Sequence, residues 1–94
     1  MNICCDQTVL LRKNHLGNLE NLIRITVSDL EIVPCAVEMN GCKVAFTISE
    51  NVLQAEVWID EPKQEREISV TIFFLGENSD KIKSYSETFH LKPP

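Results

Sequence analysis

The sequence predicts an all-β domain of about seven antiparallel strands folded as a sandwich, and three observations carry that prediction. Asn40-Gly41 is a strong two-residue turn signal, because a type I′ turn needs positive φ at both central positions. Counting outward from the turn pairs Met39 with Cys42, Val37 with Val44, Cys35 with Phe46 and Val33 with Ile48, an apolar face throughout. The opposite face sets Glu38 against Lys43, an opposite-charge couple that supports the same register. Period-two stretches bounded by turn residues then recur along all 94 residues.

The first strand is expected over Thr8 to Lys13, with Val9 and Leu11 inward and Thr8, Leu10 and Arg12 on the other side. Asn14 to Asn18 interrupts it with turn formers. Leu16, Leu19 and Ile23 stand at helix-like spacing, so a short helical turn competes there, weakened by Gly17 and Asn18. Leu22 to Ser28 is expected as a strand that buries Ile23, Ile25 and Val27. The hairpin follows over roughly Glu31 to Ser49. Pro34 within it marks an edge strand or a bulge, since proline has no N–H to give to a ladder. Beyond Glu50-Asn51, Leu53, Ala55, Val57 and Ile59 alternate with Gln54, Glu56, Trp58 and Asp60. Glu61 to Glu65 turns the chain into a strand over Arg66 to Leu75, with Ile68, Val70, Ile72 and Phe74 on one face. Gly76 to Asp80 forms the next turn. The last strand, Ile82 to Lys92, carries Tyr85, Phe89 and Leu91 on one side and Ser84, Ser86, Thr88 and His90 on the other. Glu87 breaks the apolar side, which predicts a bulge or a frayed edge.

In strand number and size this layout is similar to immunoglobulin-like or fibronectin-type sandwiches, and the similarity is architectural. The Cys…Trp…Cys spacing of antibody domains is absent, because Trp58 follows all four cysteines. A chain of this length is expected to be a single β-sandwich domain over residues 1–94.

Composition narrows the function classes. The net charge of −5 disfavours direct binding to nucleic acid or to anionic membranes, which need clustered Lys and Arg. The bases are instead scattered singly or in pairs. Through Thr47 there are five acids against four bases, and from Ile48 onward nine against five, so the acidic surplus lies in the second half. No stretch approaches the ~20 apolar residues of a membrane span, and Met1 to Asp6 lacks the pattern of a secretory signal. These features favour a cytoplasmic protein, in a host cytoplasm if it is viral.

The chemistry-bearing residues do not assemble into a familiar site. Cys35 and Cys42 are not opposite each other in the hairpin register and are expected to face the core as small apolar residues. Cys4 and Cys5 are adjacent and alternate faces. The spacings C-C and C-x₆-C, with His15 and His90 far apart, do not make zinc clips, so no metal or other cofactor is expected. A Ser-His-acid set around His90, Ser86 and Asp80 is imaginable, but such sets are defined by geometry. Asp60, Glu61, Glu65 and Glu67 flank one turn and Glu77 and Asp80 another, at opposite ends of a strand, which argues against a shared calcium site. The chain is expected to be non-catalytic.

Two features predict a binding surface. Trp58 falls by alternation on the face opposite Leu53, Val57 and Ile59, and Trp is enriched among interface hot spots. The strip Ile32, Pro34, Ala36 is small and apolar and lies beside an edge strand, a natural place for strand addition. The expected function is therefore binding of a protein partner, or of a second copy, around Trp58 or that strip, with Glu56, Asp60 and Glu61 setting orientation. Two further readings follow from the acidity and size: a phage-type inhibitor that mimics nucleic acid in a host enzyme's basic groove, and a structural subunit of a virion or similar assembly.

Overall fold

Four consecutive hairpins alternate between two sheets. A computed structural model describes residues 1–61, 63–75 and 82–93. Its strands are β1 (Asn2–Lys13), β2 (Leu19–Ser28), β3 (Ala36–Met39), β4 (Cys42–Lys43), β5 (Thr47–Ser49), β6 (Val52–Asp60), β7 (Arg66–Leu75) and β8 (Ile82–Leu91). One sheet has the order β1-β2-β6-β5 and the other β4-β3-β7-β8. All their pairings are antiparallel. The fold is all-β with two antiparallel sheets, each of four strands among the described residues, against about seven strands expected in all. Among the described residues no helix is long and apolar enough to cross a membrane.

Alternation builds the core as the sequence predicts. Ile23, Ile25, Val27, Leu53 and Ala55 of one sheet and Val37, Ile68, Val70 and Ile72 of the other are buried. Most of them form one cluster drawn from both sheets, joined by Ile3 and Leu30. Ile23 and Ile68 pack with Ile59 and Leu91 in a second cluster toward one end. Ile3 lies on a stretch given no strand by its sequence, because β1 starts six residues earlier than expected, at Asn2. Its pairing with β2 shifts register between Asp6 and Leu10. At that irregularity the Gln7 side chain turns to the opposite sheet: its Oε1 accepts the Lys92 N–H at 2.9 Å and its amide donates to the Lys92 carbonyl.

The central hairpin holds near its turn and fails away from it. Asn40 and Gly41 have φ of 51° and 82°, and Met39 pairs with Cys42 and Glu38 with Lys43. The Val44 N–H still donates to the Val37 carbonyl at 2.9 Å. Beyond it the expected pairs Cys35–Phe46 and Val33–Ile48 do not form. The Cys35 N–H donates to the Phe73 carbonyl instead, and Ile48 pairs with Leu53 in the other sheet. Val44, Phe46 and Ile48 all lean on the same core, so inward alternation continues unbroken while the chain changes sheets. Period two records which side is inward; it does not record which sheet the strand belongs to.

Several further expectations are corrected. Cys35 and Cys42 are exposed, not in the core. Cys35 precedes β3, and Cys42 lies on a two-residue edge strand. Val33 is exposed and Pro34 buried, so Pro34 does not belong to an outer strip. Residues 14–18 form a turn closed by Asn14, whose Oδ1 accepts the N–H groups of Leu16 and Asn18; no helical turn forms. Leu11 is exposed rather than inward. β8 pairs with β7 over ten consecutive residues without a bulge at Glu87. The expected turn over 76–80, Asp80 with its imagined catalytic role, Pro62 and the side chain of Val9 lie outside the described residues.

Candidate interaction surface

The outer face of the β1-β2-β6-β5 sheet gathers Trp58 with residues far from it in sequence. Register aligns three rows across β1, β2 and β6: Arg12–Glu20–Asp60, Leu10–Leu22–Trp58, and Asp6–Arg24–Glu56. The central row is apolar. Leu22 is buried in its middle, Trp58 is half-buried on one side, and Leu10 is 58% exposed on the other. An apolar strip therefore runs across the face between two charged rows.

Local contacts hold that surface in shape. The Arg12 guanidinium lies 3.9 Å from the centroid of the Trp58 ring, and its Nε donates to Glu20 Oε1 at 2.9 Å. A cation over an indole face is worth ~0.5–1 kcal/mol at such an exposed site. Arg24 donates through Nε and Nη2 to Glu56 Oε1 at 3.2 and 3.0 Å. Exposed ion pairs add little stability, but they fix rotamers, and side chains already fixed lose less entropy on binding.

Of the residues expected to bind, this face unites Trp58, Glu56 and Asp60. Glu61 follows β6, half-buried, with its N–H bonded to the Leu19 carbonyl at 3.1 Å. Ile32, Pro34 and Ala36 are elsewhere. Ile32 is exposed in the β2–β3 connection and lines a cleft of about 270 Å³ with Met1, Leu30, Phe74 and Lys83. Pro34 is buried and Ala36 half-buried, so the three form no common strip. Leu10, Arg12, Leu22 and Arg24 were missed as site residues. The signal for Leu10 and Arg12 was their shared outward parity in the first strand; what joined them to Trp58 was the β1–β2–β6 register, which no local motif encodes.

Outside this face the reactive groups are dispersed. His90 Nδ1 is 3.7 Å from both Glu65 and Glu67, all of them exposed. Among the described residues no three His, Cys, Asp or Glu side chains are placed to hold a metal ion. All four cysteines are free. Burial, aided by the neighbouring Asp6 carboxylate, pushes the Cys5 thiol up to about 11. Since the thiolate is the nucleophile, Cys5 should react with iodoacetamide far more slowly than exposed Cys4, Cys35 and Cys42, as peptide mapping of the labelled native protein will show. The folded state favours neutral Cys5, so this contribution to stability is present below pH 9 and lost as pH rises through 11. Labelling of Cys5 as fast as its neighbours would contradict this packing.

No protein-family model, characterised protein or solved structure matches the chain.

Proposed function

We propose that this chain is a non-catalytic protein-interaction domain that presents the Leu10–Leu22–Trp58 strip to a protein partner. The observation that carries the reading is the alignment of an exposed leucine and a guanidinium-capped tryptophan across three strands, between two rows of charge. Large apolar anchors surrounded by polar groups that exclude water are the usual anatomy of an interface hot spot. Carboxylates outnumber guanidiniums on this face, through Asp6, Glu20, Glu56 and Asp60 against Arg12 and Arg24, which suits a partner with a basic rim.

The strand orders support an immunoglobulin-like assignment of the fold. β1-β2-β6-β5 corresponds to the A-B-E-D sheet of constant-type domains, and β3-β7-β8 to C-F-G, with β4 added beside β3. Such sandwiches host many unrelated sites, so the functional reading rests on the surface.

The test separates binding from folding. Trp58 is half-buried and stands opposite buried Leu22 in register, so Trp58→Ala is expected to cost ~2 kcal/mol of stability through lost apolar burial. Leu10→Glu changes a mostly exposed side chain and is expected to stay within ~0.5 kcal/mol of the parent. Pull-down from lysate of the source organism should yield a stoichiometric partner with the parent protein and lose it with Leu10→Glu, while an outward change on the other sheet, Ser84→Glu, keeps it. A partner retained by Leu10→Glu and lost with Ser84→Glu would overturn this assignment.

A further inference from the structure

The edge strand β8 offers a self-complementary surface on the other sheet, independent of the Trp58 face. β8 ends the order β4-β3-β7-β8 and pairs with β7 without interruption. The direction of its backbone groups follows from the neighbouring ladder. Asn40 and Ser69 share a hydrogen-bonded pair, the Asn40 N–H donating to the Ser69 carbonyl at 2.8 Å. Successive residues of a strand alternate direction, so odd-numbered β7 residues turn toward β3 and even-numbered ones toward β8. Ile72 pairs with Tyr85 and Val70 with Glu87, which commits the odd-numbered residues of β8 to β7. The N–H and C=O groups of Ser84, Ser86 and Thr88 therefore point away from the sheet. Lys92 agrees with this parity: both its main-chain groups are bonded on that outer side, by Gln7.

Gln7 thus covers the edge at Lys92, and residues 83–88 have no strand beside them among the described residues. Lys83, Tyr85 and Glu87 share the core-facing side with Phe74, Ile72 and Val70, yet all three are exposed, Tyr85 by 49%. A charge on the inward side of an edge strand ordinarily discourages strand addition. Here the two charges are opposite in sign and stand symmetrically about Tyr85.

We infer that two copies of this chain associate through antiparallel β8–β8 pairing with Tyr85 on the twofold axis. In that register Ser84 and Ser86 exchange main-chain hydrogen bonds with the partner's Ser86 and the partner's Ser84. Tyr85 meets the partner's Tyr85 as a non-hydrogen-bonded pair, the arrangement that brings side chains closest. Lys83 faces the partner's Glu87 and Glu87 faces the partner's Lys83, so each inward charge is neutralised. Moving the axis by one residue, to Ser86, sets Tyr85 against the partner's Glu87 and Lys83 against the partner's Phe89 and loses both ion pairs, which fixes the register. The contact is isologous and closes at two subunits. A contact built mainly on one strand is small, and its dissociation constant belongs in the micromolar range or above.

Sedimentation velocity of the full chain over a concentration series tests this. The parent protein should shift from monomer to dimer as its concentration rises. Lys83→Glu and Glu87→Lys each set like charges opposite one another and should weaken the dimer by about tenfold or more. The combined Lys83→Glu/Glu87→Lys variant restores opposite charges and should restore the dimer. Ser84→Pro removes an N–H that points away from β7, a position where an edge strand accepts proline, so it should abolish dimerisation and keep the parent circular-dichroism spectrum. Trp58→Ala should leave the dimer intact, which keeps this result separate from the fate of the Trp58 surface. A parent chain that stays monomeric up to millimolar concentration, a dimer that survives Ser84→Pro, or a charge-swapped double variant that remains monomeric would each overturn the inference.

Discussion

Ile25→Ala is expected to destabilise the fold by ~3–5 kcal/mol, a large share of the ~5–15 kcal/mol that holds a domain of this kind together. Ile25 is fully buried. Register places it between Cys5 and Ala55, so it is the one bulky side chain in its row. It belongs to the same cluster as Val70 and Ile72 of the opposite sheet. Neither Cys5 nor Ala55 is long enough to fill the space its removal would leave, and a close-packed interior relaxes only in part. The cost should lie toward the upper end of the range for such truncations. Urea unfolding checks this: the midpoint should fall steeply while the slope stays near the parent value. Ile25→Val, which removes one methylene, should cost ~1 kcal/mol. Equal losses from the two variants would mean that the row has collapsed around the smaller side chain.

Which residues face inward was legible because alternation depends on neighbours in sequence. Ile23, Ile25 and Val27 on β2 and Ile68, Val70 and Ile72 on β7 are buried as their spacing predicts. Partner choice was not legible, since it depends on loops and on distant strands. The stretch Val33 to Ile48 looked like one hairpin because Val37, Val44, Phe46 and Ile48 all keep inward parity, although the chain changes sheets between Lys43 and Thr47. The hairpin that follows was hidden for another reason. Its turn is Glu50-Asn51, with φ of 51° and 65°. Glu is a poor occupant of the left-handed region, so no turn signal stood out there.

The candidate surface divides along the same line. The outward direction of Trp58 follows from its position between Val57 and Ile59. Its partners do not: Arg12 lies 46 positions away in the chain and reaches the indole ring only because β1 and β6 flank β2 in one sheet. The β8 edge was likewise visible only in part. Glu87 stands out of place on an apolar face, which predicts a bulge or a frayed edge there. The ladder is regular instead, and Glu87 stays in the open because β8 is the outermost strand of its sheet.

Asn40 shows how a residue chosen by a turn acquires a second task, and Asn40→Val is the other substitution expected to be severe. At φ 51° a β-branched side chain crowds the backbone, a strain of ~1–2 kcal/mol. The pair that Asn40 forms with Ser69 is completed unconventionally. The Asn40 N–H donates to the Ser69 carbonyl, while the Ser69 N–H donates to the Asn40 side-chain Oδ1, both at 2.8 Å. The side chain thus extends the β3–β7 ladder by one bond past the end of β3. Valine leaves the half-buried Ser69 N–H without that acceptor, a further ~1–3 kcal/mol, for a combined loss of ~3 kcal/mol from the two effects. Substitutions that separate them should fall in order. Asn40→Asp keeps an acceptor and tolerates positive φ, and should cost least. Asn40→Gly keeps the backbone conformation and loses the bond, at ~1 kcal/mol. Urea unfolding gives the totals, and hydrogen exchange of the Ser69 amide isolates the bond: its protection should drop in Asn40→Gly and persist in Asn40→Asp. If Asn40→Gly instead matched Asn40→Val in stability, positive φ would carry none of the cost and the hydrogen bond to Ser69 all of it.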